Sequence, residues 1–226
     1  MVGIVSGVIV VVLFLAASIA LALLEPTVVA SLSPQFALIK PLHFLLWLGI
    51  YLVTTLAYSL RLKRSVLVDV IVLSGLYTIR IIAGSAATGV AISTWLGSFS
   101  IFFFLSLALV KRFAELENLR ERGGVSAGGR GYHIADIEQL RSFGSASGFA
   151  SVVVLTLYIS TLDAAQLYEH TRRLWLLVPV LLLWISRLWL TASRGDLNED
   201  PVVYAVTDRR SLLLGLVVVA IVLSAL

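Results

Sequence analysis

The chain has 226 residues, 59% of them hydrophobic and 13% charged, with a mean hydropathy of +1.01; a soluble domain carries about 25% charged residues, so a soluble globular fold is excluded and a helical membrane protein is expected. The formal charge of +4 does not signal nucleic acid, because the basic residues cluster at the ends of apolar runs, where orientation in a membrane accounts for them. The absence of cysteine excludes disulfides, thiolate nucleophiles and cysteine-based metal sites, and His43, His133 and His170 make no ligand pair at helical spacing.

A membrane span needs about 20 mostly apolar residues. Seven are expected in chain order, at 3–24, 36–60, 65–83, 92–112, 146–163, 172–192 and 210–226. In the first, Ala20-Leu21-Ala22 resembles a signal-peptide cleavage site. No positive residue precedes it and the apolar run is longer than a signal core, so it reads as a spanning helix. The chain is then one all-α transmembrane bundle over 1–226, without a soluble domain or an internal repeat.

The longest loop, 113–145, starts as a helical extension from Phe113 to Arg122. Glycines at 123, 124, 128, 129 and 131 make a hinge. A short helix is expected from His133 to Phe143, with Ile134, Ile137 and Leu140 on one apolar face. A hinged lid and an ordinary surface loop both fit this pattern.

With the N-terminus cytoplasmic, inner segments hold twelve basic residues: Arg61, Lys63, Arg64, Lys111, Arg112, Arg120, Arg122, Arg130, Arg141, Arg194, Arg209 and Arg210. Outer segments hold Arg172 and Arg173; Lys40, Arg80 and Arg187 fall within spans. The positive-inside rule therefore predicts a multi-pass protein of the inner (plasma) membrane with a cytoplasmic N-terminus.

Charges inside a span cost roughly 2.5–3.5 kcal/mol at a helix centre on insertion scales, so they face protein or water and mark function. Asp69 and Arg80 share a span and nearly one helical face, about 16 Å apart along the axis, too far for a direct salt bridge. They line one cavity at two depths or pair with other helices. Tyr58 and Lys63 end one span; Lys111 and Arg112 end another. Arginine and lysine suit phosphate oxygens, although inner helix ends attract cations for topology alone.

Glu115 follows Lys111 by four residues and Arg112 by three, on the same helical face. It reads as an intrahelical partner, a base for a hydroxyl, or a magnesium ligand through water. Asp196, Glu199, Asp200 and Asp208 form an acidic loop that fits a cation site or, more simply, helix starts. There is no G-x-S-x-G, H-E-x-x-H or P-loop motif.

The segment from Leu56 to Glu115 carries a family likeness: Leu56-Ala-Tyr58-Ser-Leu-Arg-Leu-Lys63, Asp69, Leu76-Tyr-Thr-Ile-Arg80-Ile-Ile-Ala-Gly84, Ser93-Thr-Trp95 and Lys111-Arg-Phe-Ala-Glu115-Leu. Arg130-Gly131-Tyr132 and Asp200-Pro201 extend it. The chain resembles the UbiA superfamily of intramembrane prenyltransferases, nearest its branch that includes decaprenyl-phosphate phosphoribosyltransferase.

The resemblance implies a nine-helix bundle whose cytoplasmic mouth binds a pyrophosphate donor through magnesium and basic side chains. Tyr58 and Lys63 match the family's Tyr-Ser…Lys element near the donor phosphates. Lys111, Arg112 and Glu115 occupy its second polar motif; Arg80 joins the phosphate-binding set, and Glu115 and Asp69 are the catalytic candidates. The partners implied are membrane lipid and a polyprenyl phosphate or pyrophosphate.

The family's first motif, Asn-Asp-x-x-Asp-x-x-x-Asp, is absent from this sequence. The seven spans match the last seven of nine, so an N-terminally truncated transferase with little activity alone is expected, its magnesium ligands missing. Two other classes stay open. One is a non-catalytic lipid-phosphate-binding subunit, its two missing helices supplied by another polypeptide. The other is a small transporter with Asp69 and Arg80 on its path.

Overall fold

The computed structural model describes residues 41–88, 92–121, 123, 130–197 and 200–226. The expected span at 3–24, the start of the next at 36–40 and most of the glycine hinge lie outside the described residues. Within them the chain is all α: α1 (Pro41–Leu60), α2 (Val68–Thr88), α3 (Thr94–Glu121), α4 (Ile137–Ile159), α5 (Leu162–Leu167), α6 (Thr171–Leu174), α7 (Leu177–Ser193), α8 (Pro201–Thr207) and α9 (Arg209–Ala225). Short 3₁₀ turns at Leu62–Arg64 and Ile134–Asp136 precede α2 and α4.

Among the described residues, five segments are long and apolar enough to cross a membrane: His43–Leu60, Val68–Thr88, Thr94–Glu121, Ile134–Ile159 and Thr171–Ser193. The chain is a multi-pass membrane protein. At 28 residues α3 rises about 42 Å, beyond the roughly 30 Å hydrocarbon core, so one polar end projects from the apolar layer. The last expected span, 210–226, is the 17-residue α9, about 26 Å long and a little short of that thickness.

One expected element changes: residues 137–159 form one continuous helix, not a short helix ending at Phe143 followed by a span from 146. The span expected at 172–192 stands as Thr171–Ser193, with α6 ending at Leu174 and α7 beginning at Leu177. Pro179 lies in the first turn of α7, where its missing N–H breaks no intrahelical bond.

The chain divides into two compact units. The first includes α1 up to Leu56 and the end of α2 from Ile79. In it, Arg80 donates to the Tyr51 hydroxyl through Nε (3.2 Å) and Nη2 (2.7 Å), with its guanidinium 5.2 Å from the Tyr51 ring centroid.

The second unit, Ala57–Thr78 and Ser93–Leu226, has its core around Leu109, Val110, Phe113, Leu116, Leu140, Ile185, Leu188 and Trp189. Its tightest seam joins α4 to α3 and α7. A Cβ on Gly144 would stand 2.2 Å from the Trp189 ring, and one on Gly148 2.8 Å from Ile185. This small-xxx-small spacing lets helix backbones approach closely. Polar side chains then bond inside the seam: Ser106 Oγ donates to the Gly144 carbonyl (2.7 Å) and accepts from Trp189 Nε1 (3.1 Å), while Ser147 Oγ donates to the Phe102 carbonyl (3.0 Å). The seam fixes the direction of α3 and hence the position of its polar end.

Candidate functional site

The start of α2, the end of α3, the stretch 130–132 and the start of α8 supply one connected set of polar side chains, all in the second unit. At its centre Arg112 and Asp69 are 2% and 0% exposed. Arg112 Nε donates to Asp69 Oδ2 at 2.7 Å. The Tyr132 hydroxyl, itself buried, donates to Asp69 Oδ1 at 2.5 Å and accepts from the Leu67 N–H at 2.9 Å. Both Asp69 oxygens are therefore engaged, which is what a buried carboxylate requires. Burial, then the bond to Asp69, pushes the Tyr132 phenol well above its ordinary value, so it remains a proton donor.

The backbone conforms to this contact. Leu67 adopts φ +64°, a region a leucine rarely occupies. Its N–H, held by Tyr132, fixes the turn that begins α2. Gly131 has φ +76°, and a Cβ there would meet Val66 Cγ2 at 3.1 Å and the Arg64 carbonyl at 3.4 Å. Glycine is required on both counts: it lets residues 130–132 lie as a strap on the 64–67 turn.

Toward the rim, Arg112 Nη1 donates to Glu115 Oε2 at 2.6 Å. Arg130 Nη1 reaches the same oxygen, and Arg112 Nη2 is 3.3 Å from the Tyr58 hydroxyl. Glu115 is 35% exposed. Lys111 pairs with Asp200 rather than with Glu115. Asp200 also caps α8, accepting from Val202 N–H at 3.0 Å, with Pro201 at the first helical position. Burial tends to raise Asp200, but the bond from Lys111, the Val202 N–H and the charges of Lys111 and Arg112 outweigh it and hold the carboxyl below the usual range. An apolar cavity of about 330 Å³ lies among α3, α7, α8 and α9, lined by Phe103, Phe104, Leu107, Trp184, Val202 and Leu214. Leu107 is one helical turn before Lys111.

Of the candidates named from sequence, Tyr58, Asp69, Lys111, Arg112 and Glu115 come together here. Lys63 is half-buried in the 3₁₀ turn before α2 and stands outside the ion pairs that join Asp69, Glu115 and Asp200 to their cations. Arg80 lies in the first unit with Tyr51. Arg130 and Tyr132 stand out in the sequence only as family features without site roles, and Asp200 also as part of the acidic loop read as a cation site or a helix start; buried Glu117 and its partner Arg141 carry no sequence signal of a site. The only sequence signal for Tyr132 is its place after Arg130-Gly131.

Magnesium, which the resemblance implies, does not fit the described residues. No group of three or more His, Asp or Glu side chains is placed to hold a metal ion among them, and Asp69, Glu115 and Asp200 each already bond a cation.

No protein-family model matches the chain. It is 39% identical over 181 residues to the protein y4nM of Sinorhizobium fredii, covering 79% of this chain and 35% of that protein. It is 35% identical over 162 residues to the nodulation protein NoeC of Azorhizobium caulinodans, covering 72% and 53%. It is 37% identical over 95 residues to decaprenyl-phosphate phosphoribosyltransferase of Mycobacterium tuberculosis, covering 42% and 28%. The chain thus spans about half or less of these curated relatives. It is distantly similar to a UbiA-family phosphoribosyltransferase and to NoeC and y4nM.

Proposed function

We propose that this chain provides the phosphate-holding wall of a UbiA-like membrane transferase, which moves a phosphoribosyl or prenyl group from a pyrophosphate donor to an acceptor. The observation that carries this reading is Arg112. Its Nε is anchored on buried Asp69, so its other nitrogens are held just beneath the rim, toward Glu115 and Arg130, in a preorganised cluster of ion-paired basic groups. Such positioning is the protein's main contribution to phosphate-group chemistry. The apolar cavity below Lys111 suits the tail of a polyprenyl phosphate whose headgroup meets the cluster.

The similarity to a decaprenyl-phosphate phosphoribosyltransferase makes the phosphoribosyl case the first to test. There an anionic oxygen of the lipid phosphate attacks the sugar carbon. A carbon–oxygen bond forms, the bond to pyrophosphate breaks, and pyrophosphate leaves with the electron pair. No proton has to move, so no general base is needed. Lys63, Lys111, Arg112 and Arg130 hold phosphate charge, Tyr58 orients Arg112, and Asp69 and Tyr132 act as positioning residues behind it. The polar end faces the cytoplasm of the inner membrane on this reading, as the charge bias favours. Because the described residues do not fit a magnesium ion, no step is routed through one. Little turnover is expected of the chain alone, well below about 1 s⁻¹, the low end of typical enzyme rates.

The test is purified protein in proteoliposomes, with decaprenyl phosphate and labelled phosphoribosyl pyrophosphate. Saturable retention of the lipid phosphate, lost in Arg112→Met, is expected. Retention without any transfer, even alongside added magnesium, favours a non-catalytic lipid-phosphate-binding subunit. No retention, or retention indifferent to Arg112→Met and Lys111→Met, would sink the site reading.

A further inference from the structure

We propose that Glu115 determines specificity: its carboxylate stands in for a ligand phosphate, and a doubly charged phosphate displaces it where a singly charged phosphodiester does not. The inference rests on the phosphate-site reading above. Arg112 Nη1 (2.6 Å) and Arg130 Nη1 converge on the single oxygen Oε2 of Glu115. Two guanidinium groups aimed at one oxygen form the arrangement that receives a phosphate.

The two acidic partners of Arg112 differ in kind. Asp69 is fully buried and grips Nε, so Arg112 stays in place whatever happens at the rim. Glu115 is 35% exposed and its second partner Arg130 33%, so water reaches this end of the network and the Arg130 pair is weak. One pair is fixed and the other is replaceable.

Charge then decides what replaces it. Lys111, Arg112 and Arg130 are already matched by Asp200, Asp69 and Glu115. A membrane surface is crowded with phosphodiester headgroups, each carrying one negative charge on its phosphate. A bare cluster of three cations would collect them. Glu115 offers the same single charge, already tethered, so a phosphodiester gains little by taking its place. A phosphomonoester terminus carries roughly −1.5 to −2 at neutral pH and three acceptor oxygens. It serves both guanidinium groups at once and releases Glu115 into water.

The experiment uses the full chain in nanodiscs of zwitterionic lipid, titrated with decaprenyl monophosphate and, separately, phosphatidylglycerol. Wild type should prefer the monophosphate by about tenfold or more. Glu115→Gln should raise phosphatidylglycerol affinity about tenfold, the scale set by losing two rim ion pairs, and change monophosphate affinity less. Glu115→Asp, which keeps the charge, should restore the preference and provides a second reading if the glutamine variant is unstable. An unchanged ratio in Glu115→Gln, or equal weakening of both lipids, means that Glu115 only orients the arginines and overturns the assignment. Wild type that fails to bind monophosphate, or binds it independently of Arg112, overturns the site reading itself and this assignment with it.

Discussion

The polar end of α3 has two charged faces, and they are built differently. On one, Arg112 is 2% exposed and bonds Asp69 and Glu115 at 2.6–2.7 Å, with Tyr132 completing Asp69. On the other, Glu117 is nearly as buried, yet its strongest partner is Arg120, one turn away at 2.6 Å. Arg141 on α4 stands 3.6 Å off, and Glu117 Oε1 and Arg141 Nε have no hydrogen-bond partner. Arg141 rests instead over the Phe113 ring, 5.0 Å from its centroid. A buried ion pair compensates its desolvation only when geometry and additional hydrogen bonds are good. The first face meets that demand and holds a guanidinium in place; the second joins two helices loosely.

Removing Arg112 should therefore have the largest effect. Arg112→Met leaves Asp69 charged, buried and short of a partner, at a cost of about 3–5 kcal/mol. A thermal or denaturant unfolding series in detergent measures it, and a loss below about 1 kcal/mol would erase the contrast between the faces. Glu117→Gln should cost about 1 kcal/mol or less, because Arg120 and Arg141 are 55% and 39% exposed and turn to water. A cost equal to that of Arg112→Met would show that the second face holds its charges as firmly as the first.

An effect no larger is expected away from both faces, at Asp208. The bond from Arg187 (2.7 Å), with help from the Ser211 N–H that it caps, holds this carboxyl down to about 2 against the tendency of burial to raise it. Its folded value lies below its unfolded one, so its contribution is complete above about pH 4 and is lost as pH falls toward 2. About 1 kcal/mol should disappear across that window after allowance for solvent screening. Asp208→Asn should flatten that part of the stability-versus-pH curve.

Hydropathy made α1, α2, α3 and α7 legible, since each is an apolar run closed by charge or glycine. It divided α4 because Gly144, Ser145, Ser147 and Gly148 interrupt the apolar pattern; those small residues are what admit Trp189 and Ile185 to the seam. At the site, the helical spacing of Lys111, Arg112 and Glu115 could be read directly. Their partners could not, because Asp69 lies 43 residues from Arg112, Tyr132 63 from Asp69, and Asp200 89 from Lys111. Local spacing also left open which cation Glu115 takes; the competition ends with Lys111 on Asp200 and Arg112 on Glu115. The simpler reading of Asp200, a residue at a helix start, describes its capping contact but misses its ion pair.

The buried Asp69–Arg112 pair also sets an order in time. A ribosome adds roughly 5–20 residues per second, so Asp69 is made about 2–9 s before Arg112 and still longer before Tyr132. During that interval Asp69 has no guanidinium beside it. The buried pair closes only after the end of α3 has been made, so the start of α2 reaches its fully bonded form later than its place in the chain suggests.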